Sequence, residues 1–237
     1  MRIIKLTFLW LSLSLPVWGV AQHTMTIKHT YYTNLFDTVQ CSELQGFYVQ
    51  TSAHAAATQH ITRSSFKIDP EQPAACQLKY TSSYSTYNQQ FPKGDLQDRM
   101  DKGHVNPYSA MEFNETAAEE SMFYTNVCPQ ISYFNEHQWE QVEQYVLKTV
   151  SPTYGDVQVW TGVLVSTAHP RKAGSLFIPD YYWKVIAYQK NGKAVQEAWL
   201  GPNKPTNTSK DPNAIATTVA DLKRVVLQYY PKFQFDF

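Results

Sequence analysis

A chain of 237 residues with 14% aromatic side chains has the length for one large domain with a substantial core. Its 20 basic and 20 acidic side chains cancel, which excludes a protein that coats nucleic acid through bulk positive charge. A polyanionic partner would have to be recognised locally, by a few cations and a metal.

Arg2 and Lys5 precede the uncharged, Leu-rich run "LTFLWLSLSLPVWGVAQ", which ends in small residues around Gly19 and Ala21. That order is the signature of a secretory signal peptide over 1–21, and the run is too short to span a bilayer. The expectation is a secreted or periplasmic protein whose mature part, 22–237, is a single soluble domain. Losing Arg2 and Lys5 leaves 18 basic side chains against 20 acidic. In an oxidising compartment the three cysteines allow at most one intrachain disulfide. Cys41 and Cys76, both upstream of a charged turn, are paired and Cys128 is left free, although sequence leaves the other two pairings open. No CxxC occurs, so a structural zinc site is not expected.

Along the chain, "FYVQTS" (47–52) and "VQVWTGVLVS" (157–166) are rich in β-branched and aromatic residues and read as strands. The polar stretch from Thr81 to Gly94 has no apolar period and reads as loop. In "NEHQWEQVEQYVLKTV" (135–150), Trp139, Val142, Val146 and Val150 form one stripe of a helix that Pro152 stops. Residues 181–200 read as two strands joined at Asn191-Gly192. "AIATTVADLKRVVLQYY" (214–230) reads as a second helix, with Ile215, Val219, Leu222 and Val226 inward. Strands and helices do not alternate regularly, which points to an α+β fold with an antiparallel sheet.

The stretch "DRMDKGHVNPYS" (98–109) crowds Asp98, Arg99, Asp101, Lys102 and His104 together. Alone it is as readily a solvated charged turn as a site. Downstream, Asn135, Trp139, Val142 and Glu143 fall within about a quarter-turn to either side of one line on an ideal helix. An amide and a carboxylate thus emerge beside the inward face, although Asn135 could equally cap the helix with Gln138 as its partner.

Taken together, "DKGH" (101–104), "NVCPQ" (126–130) and "FN" (134–135) followed by Trp139 resemble the D-R-G-H, N-x-x-P-Q and L-N-x-x-x-W signature of the DNA/RNA non-specific endonucleases. These belong to the ββα-metal, or His-Me finger, superfamily. "TRSSFKIDP" (62–70) is similar to the upstream segment with the family's arginine, and "WTGVLV" (160–165) and "IPDYYWKVI" (178–186) to its later strands.

The resemblance implies a ββα-metal fold, a central antiparallel sheet flanked by helices, and metal-dependent hydrolysis of DNA and RNA phosphodiesters. It implies His104 as general base, where an imidazole titrating near neutrality suits the task. Asn135 would be the one direct protein ligand of a Mg²⁺, for which Mn²⁺ could substitute, with Glu143 acting through water. Arg63 would clamp the phosphate with its planar fork. Asn126 would orient the histidine segment, and Asp101 would fix its turn by local hydrogen bonds. Lys102 departs from the usual arginine, so its charge is kept while bidentate geometry is lost. That departure also motivates an alternative, a degenerate member that binds nucleic acid without cutting it. Cys128, within "NVCPQ", is expected to be a buried, inert thiol.

Overall fold

The computed structural model describes residues 23–57, 61–205 and 211–237, with side chains described outside 78–82. The signal peptide expected over 1–21 lies outside the described residues. Among the described residues no helix is long and apolar enough to cross a membrane.

A seven-stranded antiparallel sheet forms the centre. Its strands are β1 (Thr24–Lys28), β2 (Tyr32–Asp37), β3 (Ser42–Gln50), β6 (Val157–Leu164), β9 (Tyr181–Lys190), β10 (Lys193–Pro202) and β11 (Ala216–Thr217), adjacent in that order. Two two-stranded sheets accompany it, β4 (Met100–His104) with β5 (Val127–Ile131) and β7 (Arg171–Ala173) with β8 (Leu176–Ile178). The expected β9–β10 hairpin is present. Asn191 and Gly192 adopt φ of 53° and 74°, the left-handed pair that a two-residue type I′ turn requires.

Alternation along β9 explains why both sheet faces are covered. Trp183 and Val185 point to one side, where they pack with Trp160, Leu222, Val226 and Phe233 beneath the C-terminal helix Val219–Tyr229. Ile186 and Tyr188 point to the other side, against Val142, Val146 and Val150. Those valines belong to an unbroken helical run over 132–154, here called the site helix. It follows β5 directly, so β4, β5 and the site helix make the ββα unit.

Four boundaries differ from expectation. The β3 strand begins at Ser42, five residues early, because its buried Glu43 and Gln45 are polar and hide the inward pattern. The site helix passes Pro152 and ends at Gly155, whose φ is 90°. A wide π turn, Val146–Val150, precedes that proline, which starts the next α-helical turn, where its missing N–H costs little. The C-terminal helix starts only at Val219. Thr218 caps it by accepting from Asp221 N, and Ile215 ends a separate 3₁₀ turn, Pro212–Ile215.

The fourth difference is the largest. Much of the supposed loop at 81–94 is helix, Ala74–Asn88. Its Ser, Thr, Tyr and Asn residues are weak helix formers without an amphipathic stripe, so tertiary anchors decide. At one end Cys76 is bonded to Cys41, the expected disulfide. At the other, Asn88 accepts from Met100 N and donates to Met100 O, both at 2.8 Å. The disulfide closes a loop with a sequence separation of 35, and the chain-entropy relation assigns such a loop about 4 kcal/mol. A Cys41→Ala, Cys76→Ala double variant should therefore melt about 8–16 °C lower by calorimetry; an unchanged melting temperature would remove the disulfide as a stabiliser.

Candidate active site

The charged stretch 98–109 places its histidine at the end of β4. His104 is paired with Val127 across the two-stranded sheet, and Gly103 lies opposite Cys128. A side chain at 103 could not be accommodated, since its Cβ would lie 2.1 Å from Gln130 Oε1 and 2.5 Å from Gln130 Cβ. Glycine here lets the two strands approach until β5 backs the histidine.

Behind His104 the chain is held by a buried amide. Asn126 is completely buried and uses all its polar capacity. Its Oδ1 accepts from Asn106 N and Nδ2, both at 2.9 Å, and its Nδ2 donates to the carbonyls of Asn106 and Ser121. Asn126 lies outside the set that lines the cleft, and its side chain and carbonyl hold Val105 and Asn106 by hydrogen bonds.

In front of His104 the irregular segment 61–70 brings in Arg63. Several contacts hold this segment, among them Thr125 Oγ1 donating to the buried Asp69 carboxylate. Tyr108 donates to the Ile61 carbonyl at 3.1 Å, and Lys67 bridges to Phe123 through Tyr124 N and Met122 O. The Arg63 guanidinium lies 4.8 Å over the Tyr108 ring, with Nη2 3.3 and 3.4 Å from the two ring nitrogens of His104. Burial, then the Arg63 charge, pushes the imidazole down to about 3. Near pH 7 His104 is therefore neutral, the form that can accept a proton, but it titrates far below the near-neutral range expected from the sequence, because it is buried beside the Arg63 charge.

The site helix supplies the third wall. Its first complete turn is a wide π turn, Phe134–Trp139, carrying Asn135. Asn135 Nδ2 donates to Asp101 Oδ2 at 2.8 Å, and Ser132 Oγ donates to Asp101 Oδ1 at 2.8 Å. Asp101 thus joins β4 to the helix and does not serve the turn by local bonds, which corrects the expectation. Because the amide nitrogen is committed, Asn135 Oδ1 is the free donor atom, and Asn135 does not cap the helix. Glu143 is half-buried. Burial pushes its carboxyl up to about 7, Lys184 opposing and Glu140 reinforcing the shift.

Arg63, His104, Asn135 and Glu143 line one cavity of about 280 Å³ together with Tyr108, Glu136 and Glu140. A second cavity of about 510 Å³ shares Arg63, His104 and Asn135 and adds Lys102, Phe66, Tyr84 and Asn88. Four of the residues singled out in the sequence thus converge, and Lys102 joins them through the second lobe. Its ammonium donates to Tyr124 Oη at 3.3 Å and lies 5.1–5.9 Å over the rings of Phe66, Tyr84 and Tyr124. Sequence reading missed Tyr108, Glu136 and Glu140. The two glutamates were findable, since 136, 140 and 143 fall at i, i+4 and i+7 on one helix face. Cys128 is buried beside Ser42 Oγ at 3.3 Å, and burial pushes its thiol up to about 12, consistent with an inert group.

The donor set fits a hard, hydrated divalent cation. One amide oxygen and the carboxylates of Glu136, Glu140 and Glu143 face the same cavity, which suits an ion that keeps most of its water. Among the described residues no three His, Cys, Asp or Glu side chains converge as a caged ion would need.

The known proteins similar to this chain are named as nucleases. "Nuclease 1, mitochondrial" of Schizosaccharomyces pombe is 27% identical over 122 residues, 44% of this chain and 38% of its own. "Endonuclease G, mitochondrial" of Bos taurus is 23% identical over 119 residues, 45% of this chain and 40% of its own. "Nuclease EXOG, mitochondrial" of Mus musculus is 22% identical over 184 residues, 70% of this chain and 46% of its own. These matches span less than half the length of each relative. In the solved structure of the EndoG/EndoGI complex, one chain superposes with a TM-score of 0.68 at 18% identity, covering 85% of this chain and 83% of that one, so the fold is shared. The sequence profile described as DNA/RNA non-specific endonuclease matches residues 17–234, nearly the whole chain, and the chain therefore belongs to that family.

Proposed function

We propose that the mature protein, 22–237, is one domain that hydrolyses phosphodiester bonds of DNA and RNA with little sequence preference, using a divalent cation. The observation that carries the reading is the convergence of a neutral histidine, an arginine and an amide oxygen on one cleft. His104 takes a proton from a water that attacks phosphorus in line; the P–O3′ bond breaks, leaving a 5′-phosphate and a 3′-hydroxyl that gains its proton from solvent. Arg63 holds the non-bridging phosphate oxygens as their charge grows. Asn135, oriented by Asp101, would hold Mg²⁺ or Mn²⁺ through its amide oxygen, and Glu143 would act on the ion through water. The bound cation supplies charge neutralisation at the phosphate and leaving oxygen. Lys102 adds a point charge in the second lobe, where phosphate contacts without base readout give sequence tolerance.

The deciding experiment uses purified mature protein on supercoiled plasmid and on single-stranded RNA, with Mg²⁺ and with EDTA, beside an Asn135→Ala variant. Both substrates should be cut only with Mg²⁺, and the variant, without its one direct ligand atom, should lose cutting. Binding without cutting would instead support the degenerate reading that Lys102 motivates, and Lys102→Arg would be the reversion to make. The Leu-rich leader and the Cys41–Cys76 disulfide support secretion or a periplasmic location, while the relatives above are named mitochondrial. N-terminal sequencing of the exported protein, expected to begin near residue 22, tests this.

A further inference from the structure

Under the site helix lies a buried cation that the reaction outlined above does not use. Lys184 stands on β9, opposite Thr161 of β6 and Trp199 of β10. It is completely buried, and among the described residues its ammonium makes no hydrogen bond. Its Nζ lies 5.3 Å from the Trp139 ring centroid. Trp139 belongs to the site helix, four residues after Asn135 and four before Glu143. The cation is thus lodged against the inward side of the segment that bears both cleft residues.

Such a placement is unfavourable for stability alone. Desolvating an ammonium costs several kcal/mol, and well-packed apolar side chains often replace buried charges with no loss. A methionine of similar length would pack against the Trp139 indole without that penalty. What the charge does have is an audience of carboxylates. It acts first on Glu143 and then on Glu43 of β3, whose own complete burial holds its carboxyl well above the ordinary range, so Glu143 is the carboxylate it mainly faces. Glu43 accepts from Asn106 Nδ2 at 3.2 Å through one oxygen, while its other oxygen has no partner among the described residues. The cleft side of the helix is repulsive in itself, with Glu136, Glu140 and Glu143 along one cavity wall.

We propose that Lys184 is a positioning residue: its ammonium, fixed beneath Trp139, is the counter-charge that holds the Glu143 carboxylate in place for a hydrated divalent cation at Asn135. The inference rests on the metal-dependent reading above but is decided by Mg²⁺ binding measured without nucleic acid. The Lys184→Met variant of the mature chain is compared with wild type by thermal unfolding, by calorimetric Mg²⁺ titration in the absence of substrate, and by kcat and KM on plasmid. The melting temperature should hold or rise, the Mg²⁺ midpoint should rise about tenfold, and kcat should fall about tenfold. The KM for plasmid should stay, because Lys184 does not reach the cleft. Combined with Glu143→Gln, the lysine substitution should have no further effect on the midpoint.

A folded Lys184→Met variant with the wild-type Mg²⁺ midpoint overturns the proposal, as does an equally large effect in the Glu143→Gln background. If the methionine variant does not fold, Lys184→Arg decides: a preserved midpoint supports the counter-charge, and a lost midpoint at native melting temperature overturns it. Wild-type protein that binds Mg²⁺ yet cuts nothing would overturn the nuclease reading and leave the Lys184 inference standing. Wild-type protein that binds no Mg²⁺ overturns both.

Discussion

A His104→Ala variant is expected to cut plasmid about 10²–10⁴-fold more slowly than wild type at pH 7, with its melting temperature and Mg²⁺ midpoint unchanged. Proton transfer to a positioned base accounts for a loss of that size. The fold should survive because the supports around position 104 are backbone or amide bonds that do not involve the ring. Val105 N donates to the Asn126 carbonyl, and Asn106 N to Asn126 Oδ1. Arg63, Lys102 and Asn135 remain in the variant, so KM should change little and the effect should appear in kcat. Single-turnover cleavage on plasmid separates the two. Cutting by the variant at the wild-type rate would mean that another group takes the proton.

An Arg63→Ala variant is expected to lose about 10²–10³ in kcat/KM and also to alter the pH profile. A base must be neutral to act, so activity fails as pH falls through the imidazole pKa. In wild type, burial and the adjacent guanidinium hold that pKa down at about 3, well under its ordinary value. The acid limb of wild-type cleavage is therefore not set by His104 near neutrality. Removing Arg63 deletes the repelling charge and opens the ring to water, so the imidazole pKa rises and an acid limb should move towards neutral pH.

Stability follows the same sign. In wild type the unfolded histidine gains its proton below about 6.5 while the folded one does not, so stability falls as pH drops through that window towards 3. The variant should show a smaller fall over the same range. A pH–rate profile of kcat/KM, with melting temperatures at each pH, reads both effects; profiles of identical shape would show that Arg63 does not influence the imidazole.

Much of this site was legible because its residues lie in short, contiguous signatures. "DKGH" fixes the strand end, its glycine answers to the close approach of Gln130, and "FN" opens the helix that carries the amide. Asn191-Gly192 announced its turn for an equally local reason. What stayed hidden depends on contacts distant in sequence. The helix Ala74–Asn88 exists because Cys41 and Met100 hold its two ends, and no periodicity in its own residues says so. The start of β3 was obscured because Glu43 and Gln45 are polar yet buried. Asp101 looked like a turn former, and only the folded chain shows it reaching Ser132 and Asn135. Lys184 sits in a strand motif that does not reveal its burial, since a buried cation looks the same in sequence as an exposed one.

The wide turn at the start of the site helix sets a compass bearing. On a regular α-helix each residue advances about 100°, so side chains eight apart, such as those at 135 and 143, point about 80° away from each other. A π turn takes more residues per revolution, so each one rotates less, and Phe134–Trp139 lies between the two positions. The shortfall in rotation swings Asn135 back towards the azimuth of Glu143, and amide and carboxylate face the same cavity. Winding that turn as regular α-helix with all its residues kept would instead leave the amide about 80° away from the carboxylate.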